Sequence, residues 1–266
     1  MTKISILADN RVAELAPKGL RGEWGFAAAV DDVLFDTGQT GIVPDNAARM
    51  GVSFDFDTIV LSHSHYDHTG GLNAALGRLD NPTIYCHPSV WESRYLDHDG
   101  DTQHIGLPYA RETIADQATI VEHTEPVEVS DGIYALGEIP RPHPDAAIGT
   151  IETDSGRVED AVYDDQALAI EMDTGLALVL GCGHAGLENT IDCAESTLDG
   201  DVRAVIGGTH LIAFDEPTIH EIADDLDGQL ELFGGTHCTG ADAERIFADR
   251  FPDAFVSVGV GSVLTV

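Results

Sequence analysis

The sequence predicts an α/β (α+β) chain of layered strands and helices, and three observations carry that prediction. Residues 58–61 form an unbroken apolar run, the pattern of a strand buried on both faces, and a polar loop and a glycine pair follow it. The C-terminal half repeats one unit: strand, glycine-rich turn, histidine, helix. The chain has 266 residues, 43% of them hydrophobic, enough for a sizeable core. That length predicts a single domain over 1–266, with two internally packed halves.

Taken in order, residues 4–7 read as the first strand, and 26–30 with 33–35 as a hairpin turned at Asp31 and Asp32. Residues 43–50 read as a short helix with Pro44 in its first turn. After the strand at 58–61, residues 71–79 read as a helix with Leu72, Leu76 and Leu79 on one stripe. Residues 83–86 are the next strand, closed by His87 and Pro88; His87 reads as structural. Residues 89–117 show no regular pattern and carry Trp91, Tyr95, His98, His104 and Tyr109, so they read as a candidate lid. Asp97, Asp99 and Asp101 alternate around Gly100, but the Glu at the twelfth position of a calcium loop is missing, so they read as a solvated turn.

Residues 118–121, 127–129 and 133–136 read as strands, and 137–165 as a second long polar loop. Arg141 in that loop suits an anionic substrate or a surface ion pair. Residues 166–170 and 176–180 form a hairpin turned at 173–175. A helix at 187–198, a strand at 204–206, a helix at 215–226, a strand at 230–233 and a helix at 241–251 follow, and strands at 254–258 and 262–265 close the chain. His184, His210 and His237 each follow a strand, so they gather at strand C-terminal edges, where layered α/β folds bind ligands.

Charge narrows the partners. The formal net charge is −34, and Lys3 and Lys18 are the only lysines. The acids are spread along the chain, so the whole surface repels itself in dilute buffer and is screened in molar salt, where the Debye length falls to about 3 Å. This composition reads as adaptation to a salt-rich cytoplasm. The thirteen basic residues form no run, which argues against nucleic acid. Residues from Met1 onward enter a strand pattern directly rather than a secretory leader. No apolar run approaches the roughly 20 residues of a membrane span. Cys86, Cys182, Cys193 and Cys238 have no close spacing, as expected of free thiols in a reducing cytoplasm. The expected partner is a small-molecule substrate, with no nucleic acid and no membrane; no motif bears on oligomeric state.

The chemistry concentrates in Leu61-Ser62-His63-Ser64-His65-Tyr66-Asp67-His68-Thr69-Gly70-Gly71. His63, His65, Asp67 and His68 place four strong ligands within six residues. Imidazole with carboxylate suits zinc first, with manganese or iron compatible. One ion cannot easily use all four groups, but two neighbouring ions can.

This stretch resembles the signature of the metallo-β-lactamase superfamily. Val33 to Gly38 is similar to that superfamily's Asp-Thr-Gly element. Gly181-Cys182-Gly183-His184, Gly207-Gly208-Thr209-His210 and Thr236-His237-Cys238 resemble its dihydropterin-ribofuranosylaminobenzene-phosphate synthase-like branch. The resemblance implies a four-layer αβ/βα sandwich with the metals at the shared edge of two sheets. It implies His63, His65 and His184 on one ion, and Asp67, His68 and His237 on the other, with Asp36 orienting a metal-binding histidine. His210 is implied as a ligand or, preferably, as a donor lining the substrate pocket.

Two departures from the general pattern bear on metal number. Asp164, Asp165 and Gln166 stand where a histidine is usual, and Cys182 stands where an aspartate usually bridges the metals, to bind or simply to pack. Two divalent ions are expected, with one as the alternative. The implied activity is metal-dependent hydrolysis of a small molecule. A metal-bound water, its pKa lowered towards about 7, becomes the hydroxide nucleophile, with Asp67 orienting it. The alternative is a transferase joining a dihydropterin-methyl diphosphate to an aminobenzene-ribofuranosyl phosphate, for which the chain offers few cations beyond Arg141 and Arg111. A non-catalytic metal-binding protein is the third reading.

Overall fold

Strand side chains alternate between two faces, and the destination of each face sets the layers. The computed structural model describes every residue except Asp99 and Asp154. In chain order, β1 (Lys3–Ala8), β2 (Ala27–Val30) and β3 (Val33–Phe35) pair antiparallel. Helix α1 (Val43–Met50) then crosses to β4 (Thr58–Val60), parallel to β3. Two short helices, α2 (Tyr66–Thr69) and α3 (Leu72–Leu76), lead to β5 (Thr83–Cys86). Next come β6 (Arg94–His98), β7 (Asp101–His104), α4 (Arg111–Ala115) and β8 (Thr119–Glu122).

The second half begins with β9 (Val127–Ser130), β10 (Ile133–Ala135), β11 (Thr150–Thr153) and β12 (Gly156–Glu159). It continues with β13 (Ala167–Met172), β14 (Gly175–Leu180) and α5 (Leu187–Thr197). Then β15 (Val202–Gly208), α6 (Glu216–Asp225), β16 (Leu232–Thr236), α7 (Ala241–Arg250) and β17 (Val263–Thr265) complete it. Among the described residues the strands form three sheets, ordered β17-β1-β2-β3-β4-β5-β8, β16-β15-β14-β13-β10-β9, and β12-β11-β6-β7.

Three buried clusters define four layers. Ile4, Ile6, Phe35 and Val60 of the first sheet meet Ile133, Leu168, Ile170, Val179 and Ile206 of the second, forming the core between sheets. The other face of the first sheet, with Leu34, Ile59 and Ile84, packs on Val43 and Ala47 of α1, Leu72 and Leu76 of α3, and Ile114 of α4. The outer face of the second, with Ala169, Leu178, Val205 and Phe233, packs on Ile191 of α5, Ile219 and Ile222 of α6, and Ile246 and Phe247 of α7. Phe233 and Phe247 stack at 4.1 Å. Each fully buried side chain of this size contributes about 1.5–3 kcal/mol. The result is the αβ/βα sandwich.

The two expected loops, 89–117 and 137–165, differ from their expectation. They contribute β6, β7, β11 and β12, which pair into the third sheet. Strands β7 and β12 are exposed along their whole length, so no apolar alternation marks them. Asp97 and Asp101 lie in β6 and β7, while Asp99 of the same acidic run lies outside the described residues. The helix expected at 71–79 ends at Leu76, and the ligand loop before it is itself helical as α2. The strand expected at 254–258 is only a bridge between Phe255 and Phe233. Among the described residues, no helix is long and apolar enough to cross a membrane.

Candidate metal centre

The chemistry-bearing residues follow the C-terminal ends of five strands. Asp36 follows β3; His63 and His65 follow β4, with Asp67 and His68 in α2; Cys182 and His184 follow β14; His210 follows β15; His237 follows β16. All except His210, which is half-buried, are buried. Gly181 sits where the two sheets meet, and a Cβ there would strike Ser62 Oγ and lie 2.7 Å from Asp36 Oδ2. Three non-glycine residues of the site, Asp36, His210 and His237, have left-handed backbones with φ of 59°, 49° and 52°. Such conformations cost of order 1–3 kcal/mol and cluster at functional sites.

The donor atoms form two neighbouring groups. In one, His63 Nε2 lies 2.9 Å from His65 Nδ1, and the His184 ring lies 5.0 Å from both of their rings. In the other, His68 Nε2 lies 3.2 Å from His237 Nε2, and Asp67 Oδ2 lies 3.8 Å and 3.6 Å from those two nitrogens. Tetrahedral zinc with imidazole ligands separates its nitrogens by about 3.3 Å, close to these spacings. Cys182 Sγ lies 3.2 Å from His68 Nε2 and is within reach of both groups, through His63 and His184 on one side and His68 and His237 on the other.

The far side of four rings is already committed. His68 Nδ1 donates to Asp36 Oδ2 at 2.7 Å, His237 Nδ1 to Asn10 Oδ1 at 2.9 Å, and His184 Nδ1 to the Ala146 carbonyl at 2.9 Å. His63 Nδ1 lies 2.9 Å from Ser62 Oγ, whose own proton goes to Asp36 Oδ2 at 2.6 Å. Each ring therefore turns Nε2 inward, the arrangement in which a metal-binding imidazole is oriented from behind. The inward His184 Nε2 and the His65 Nε2 are buried with no partner.

Electrostatics agree with ligand chemistry at His63, His65 and His184, while His68 holds a proton that a metal ion would have to displace. Burial, followed by neighbouring rings, lowers His63 and His184 well below the ordinary histidine range, and burial brings His65 down to about 4. These rings are neutral, as ligands must be. Burial opposes charge on His68, but Asp67 and Asp36 outweigh it and raise its value to about 9. Burial also opposes charge on Asp67, but His68 and His237 hold it below the usual carboxylate range. Burial raises Cys182 well above the ordinary thiol; burial also opposes charge on its neighbour Cys238, but the Cys182 contact and the neighbouring His237 and His210 rings outweigh it and lower that thiol.

The site opens into a cavity of about 170 Å³. Asp67, His65, Cys182, His184, His210, His237 and Cys238 line it together with Trp24, Tyr66, Leu96, Gln103, Ile105 and Ile148. No Lys or Arg is among these lining residues. Leu96 and Gln103 come from β6 and β7, so the third sheet supplies part of the cavity wall.

The sequence profile of the metallo-beta-lactamase superfamily matches residues 31–158. A 7,8-dihydropterin-6-methyl-4-(beta-D-ribofuranosyl)-aminobenzene-5'-phosphate synthase of Methanocaldococcus jannaschii is 30% identical over 223 residues, 78% of this chain and 74% of that protein. The chain belongs to the metallo-β-lactamase superfamily. A second protein of the same organism, uncharacterised, is 29% identical over 248 residues, covering 90% of this chain and 91% of its own. The crystal structure of Tm1679, a metal-dependent hydrolase of the beta-lactamase superfamily, superposes with a TM-score of 0.87 at 26% identity, covering 100% of this chain and 99% of that one. The superfamily fold implies divalent metal, and the inward-facing neutral imidazoles, the carboxylate and the thiol of this member suit such an ion.

Other residues of this metallo-β-lactamase-fold chain are placed elsewhere. Arg141 does not line the cavity; its guanidinium reaches Asp145 at 3.0 Å and the carbonyls of Ala161 and Val162, and packs over Tyr163. It ties its own loop together. Arg111 pairs with Glu122, and His87 bridges Ser89 and Glu138. Sequence reading missed Asn10, whose amide brackets His237 by accepting from its Nδ1 and donating to its carbonyl. It also missed Trp24, whose ring lies 5.4 Å from that of His237. Buried Arg94 was missed as well: it joins Asp160 at 2.7 Å and Asp164 at 2.8 Å, and Asp164 accepts from the Ser64 backbone at 2.8 Å. These partners lie far apart in the chain, and no local spacing announces them.

Proposed function

We propose that this chain is a metal-dependent hydrolase that holds two divalent ions, zinc in the first instance, and acts on a small-molecule substrate. The observation that supports it is the pair of donor groups facing each other across Cys182 on the floor of a cavity with no cationic wall. His63, His65 and His184 would hold one ion, and Asp67, His68 and His237 the other, with Cys182 between them. Divalent ions there supply a Lewis acid and a means of lowering the pKa of a water towards about 7.

The chain's own residues do the rest. Asp67, held ionised by His68 and His237, orients the nucleophile and accepts its hydrogen bond. Trp24, Leu96, Ile105 and Ile148 give the cavity its apolar lining. His210 lines the cavity, and its Nδ1 is buried without a partner. A lining without Lys or Arg favours an uncharged acyl or lactone carbonyl over a bare phosphate.

The relative named as a synthase favours a second reading, in which the ions neutralise a leaving diphosphate. The test pairs metal content with turnover in molar salt. Ester, lactone and phosphodiester substrates are run beside a dihydropterin-methyl diphosphate with an aminobenzene-ribofuranosyl phosphate. Turnover of a generic ester or lactone by the two-metal chain supports hydrolysis, and turnover of the pterin pair alone replaces it with synthesis. In the same assay His65→Ala should lose bound metal and activity together; activity surviving without metal overturns both readings.

A further inference from the structure

Cys238 and His210 stand outside both donor groups, yet they converge with Cys182 on the cavity floor. One ligand atom from each of Cys182, His210 and Cys238 lies within 4.8 Å of the other two. A tetrahedral zinc with Zn–S about 2.3 Å sets its sulfurs about 3.8 Å apart, inside that limit. We propose that Cys182, His210 and Cys238 form a third, sulfur-rich metal position that takes a thiophilic divalent ion and shares Cys182 as a bridge with the two-ion centre. The proposal extends the two-ion reading and rests on it for the cavity, not for turnover.

Four observations build this position. His210 Nδ1 is buried and has no hydrogen-bond partner. Its ring packs 4.0 Å from that of His184, so it stands beside the imidazole cluster rather than apart from it. His210 holds a left-handed backbone, φ 49°, and so does His237, φ 52°, immediately before Cys238. Strain of this kind persists only where the surroundings enforce it, and here it occurs at two adjacent strand ends. Finally, Gly208 leaves the sulfur its room: a Cβ at Gly208 would lie 2.7 Å from Cys238 Sγ.

The alternative is two packed thiols, since Cys238 Sγ also reaches the Cys182 carbonyl at 3.3 Å. Packing accounts for the sulfurs but leaves the buried, unpartnered nitrogen of His210 unexplained. Two thiolates and an imidazole are soft donors that prefer zinc over magnesium, calcium or manganese, and three protein ligands leave a fourth position open to the cavity.

The experiment titrates the metal-free chain with Co²⁺ in molar salt. It reads bound equivalents by elemental analysis and the thiolate-to-cobalt charge-transfer band in the near ultraviolet. Wild type should bind one equivalent beyond the two-ion centre. Cys238→Ser and His210→Gln should each lose that equivalent while keeping the others, and Cys238→Ser should also weaken the band. Unchanged stoichiometry and band in Cys238→Ser overturn the proposal and leave a packed thiol. If circular dichroism shows that Cys238→Ser does not fold, His210→Gln decides the matter by the equivalent it keeps or loses. A chain that binds the extra equivalent but turns over no substrate retires the hydrolase reading alone.

Discussion

Asp36 shows how one carboxylate can set a whole centre. It is fully buried and accepts from the Ser62 backbone at 2.7 Å, the Ser62 hydroxyl at 2.6 Å and His68 Nδ1 at 2.7 Å. Through Ser62 it also fixes His63. Asp36→Asn turns an NH₂ towards one of these donors, leaving a buried pair of donors opposed. Metal affinity should fall about 10–100-fold, and metal-free stability should fall by about 1–3 kcal/mol. Chelator competition and urea denaturation measure the two, and wild-type affinity in the variant would remove Asp36 from the orienting role. Asp165 makes a different point. Burial raises its carboxyl from 3.8 to about 7, and its Oδ1 has no partner. The folded chain therefore binds this proton more tightly than the unfolded chain. The stabilisation is complete below the unfolded value and is lost as pH rises through the folded one, by at most about 1.4 kcal/mol per pH unit. Asp165→Asn removes that dependence. The stability of the metal-free variant relative to wild type should climb between about pH 4 and pH 7 and then level off; a difference that stays flat across that range contradicts the assigned burial effect.

At the scale of elements, the third sheet is tied to the ligand loop by a backbone bond from Tyr66 to the Ile105 carbonyl at 2.9 Å and by one buried side chain. Arg94 opens β6, is completely buried, and pairs with Asp160 and Asp164, while Asp164 holds the backbone of Ser64 between His63 and His65. Removing one partner of a buried ion pair strands the remaining charges and costs about 3–5 kcal/mol. Arg94→Met should destabilise the chain by that amount and loosen metal binding, measured by thermal denaturation with and without zinc. A variant as stable as wild type would mean that Asp160 and Asp164 find water instead. The same contrast explains what the sequence revealed. Strands β13 and β14 were legible as continuous apolar runs buried on both faces, and the helices α5, α6 and α7 because each buries one apolar face with a regular period. The edge strands β7 and β12 carry no such face, and their pairing is decided by partners elsewhere in the chain. At the site, the clustered histidines were legible from spacing and resemblance. Asn10, which reaches His237 across 227 positions, was not, because an isolated Asn in a polar turn has no local signature.

For the molecule as a whole, charge is the largest unbalanced quantity. Forty-seven acidic residues face thirteen basic ones. Several arginines are already spent on local pairs, such as Arg21 with Asp45, Arg245 with Glu216 and Arg250 with Asp227. Those exposed pairs each contribute about 0–1 kcal/mol and weaken in salt. The excess of negative charge works the other way, because its repulsion acts over the whole surface and is relieved by screening. The Debye length shrinks from about 10 Å at 0.1 M to about 3 Å at 1 M, which screens exposed charges while buried groups are screened much less. A net charge of −34 outweighs a handful of pairs, so the sign of the salt effect should follow the repulsion. We therefore propose a chain adapted to high salt, and expect its urea midpoint to rise steadily with KCl over that range. Sucrose at matched osmolality separates screening from solvent exclusion, since sucrose favours burial without shielding charge. A midpoint that falls with KCl, or that rises equally with sucrose, would mean that the acidic surface is not what limits stability in dilute buffer.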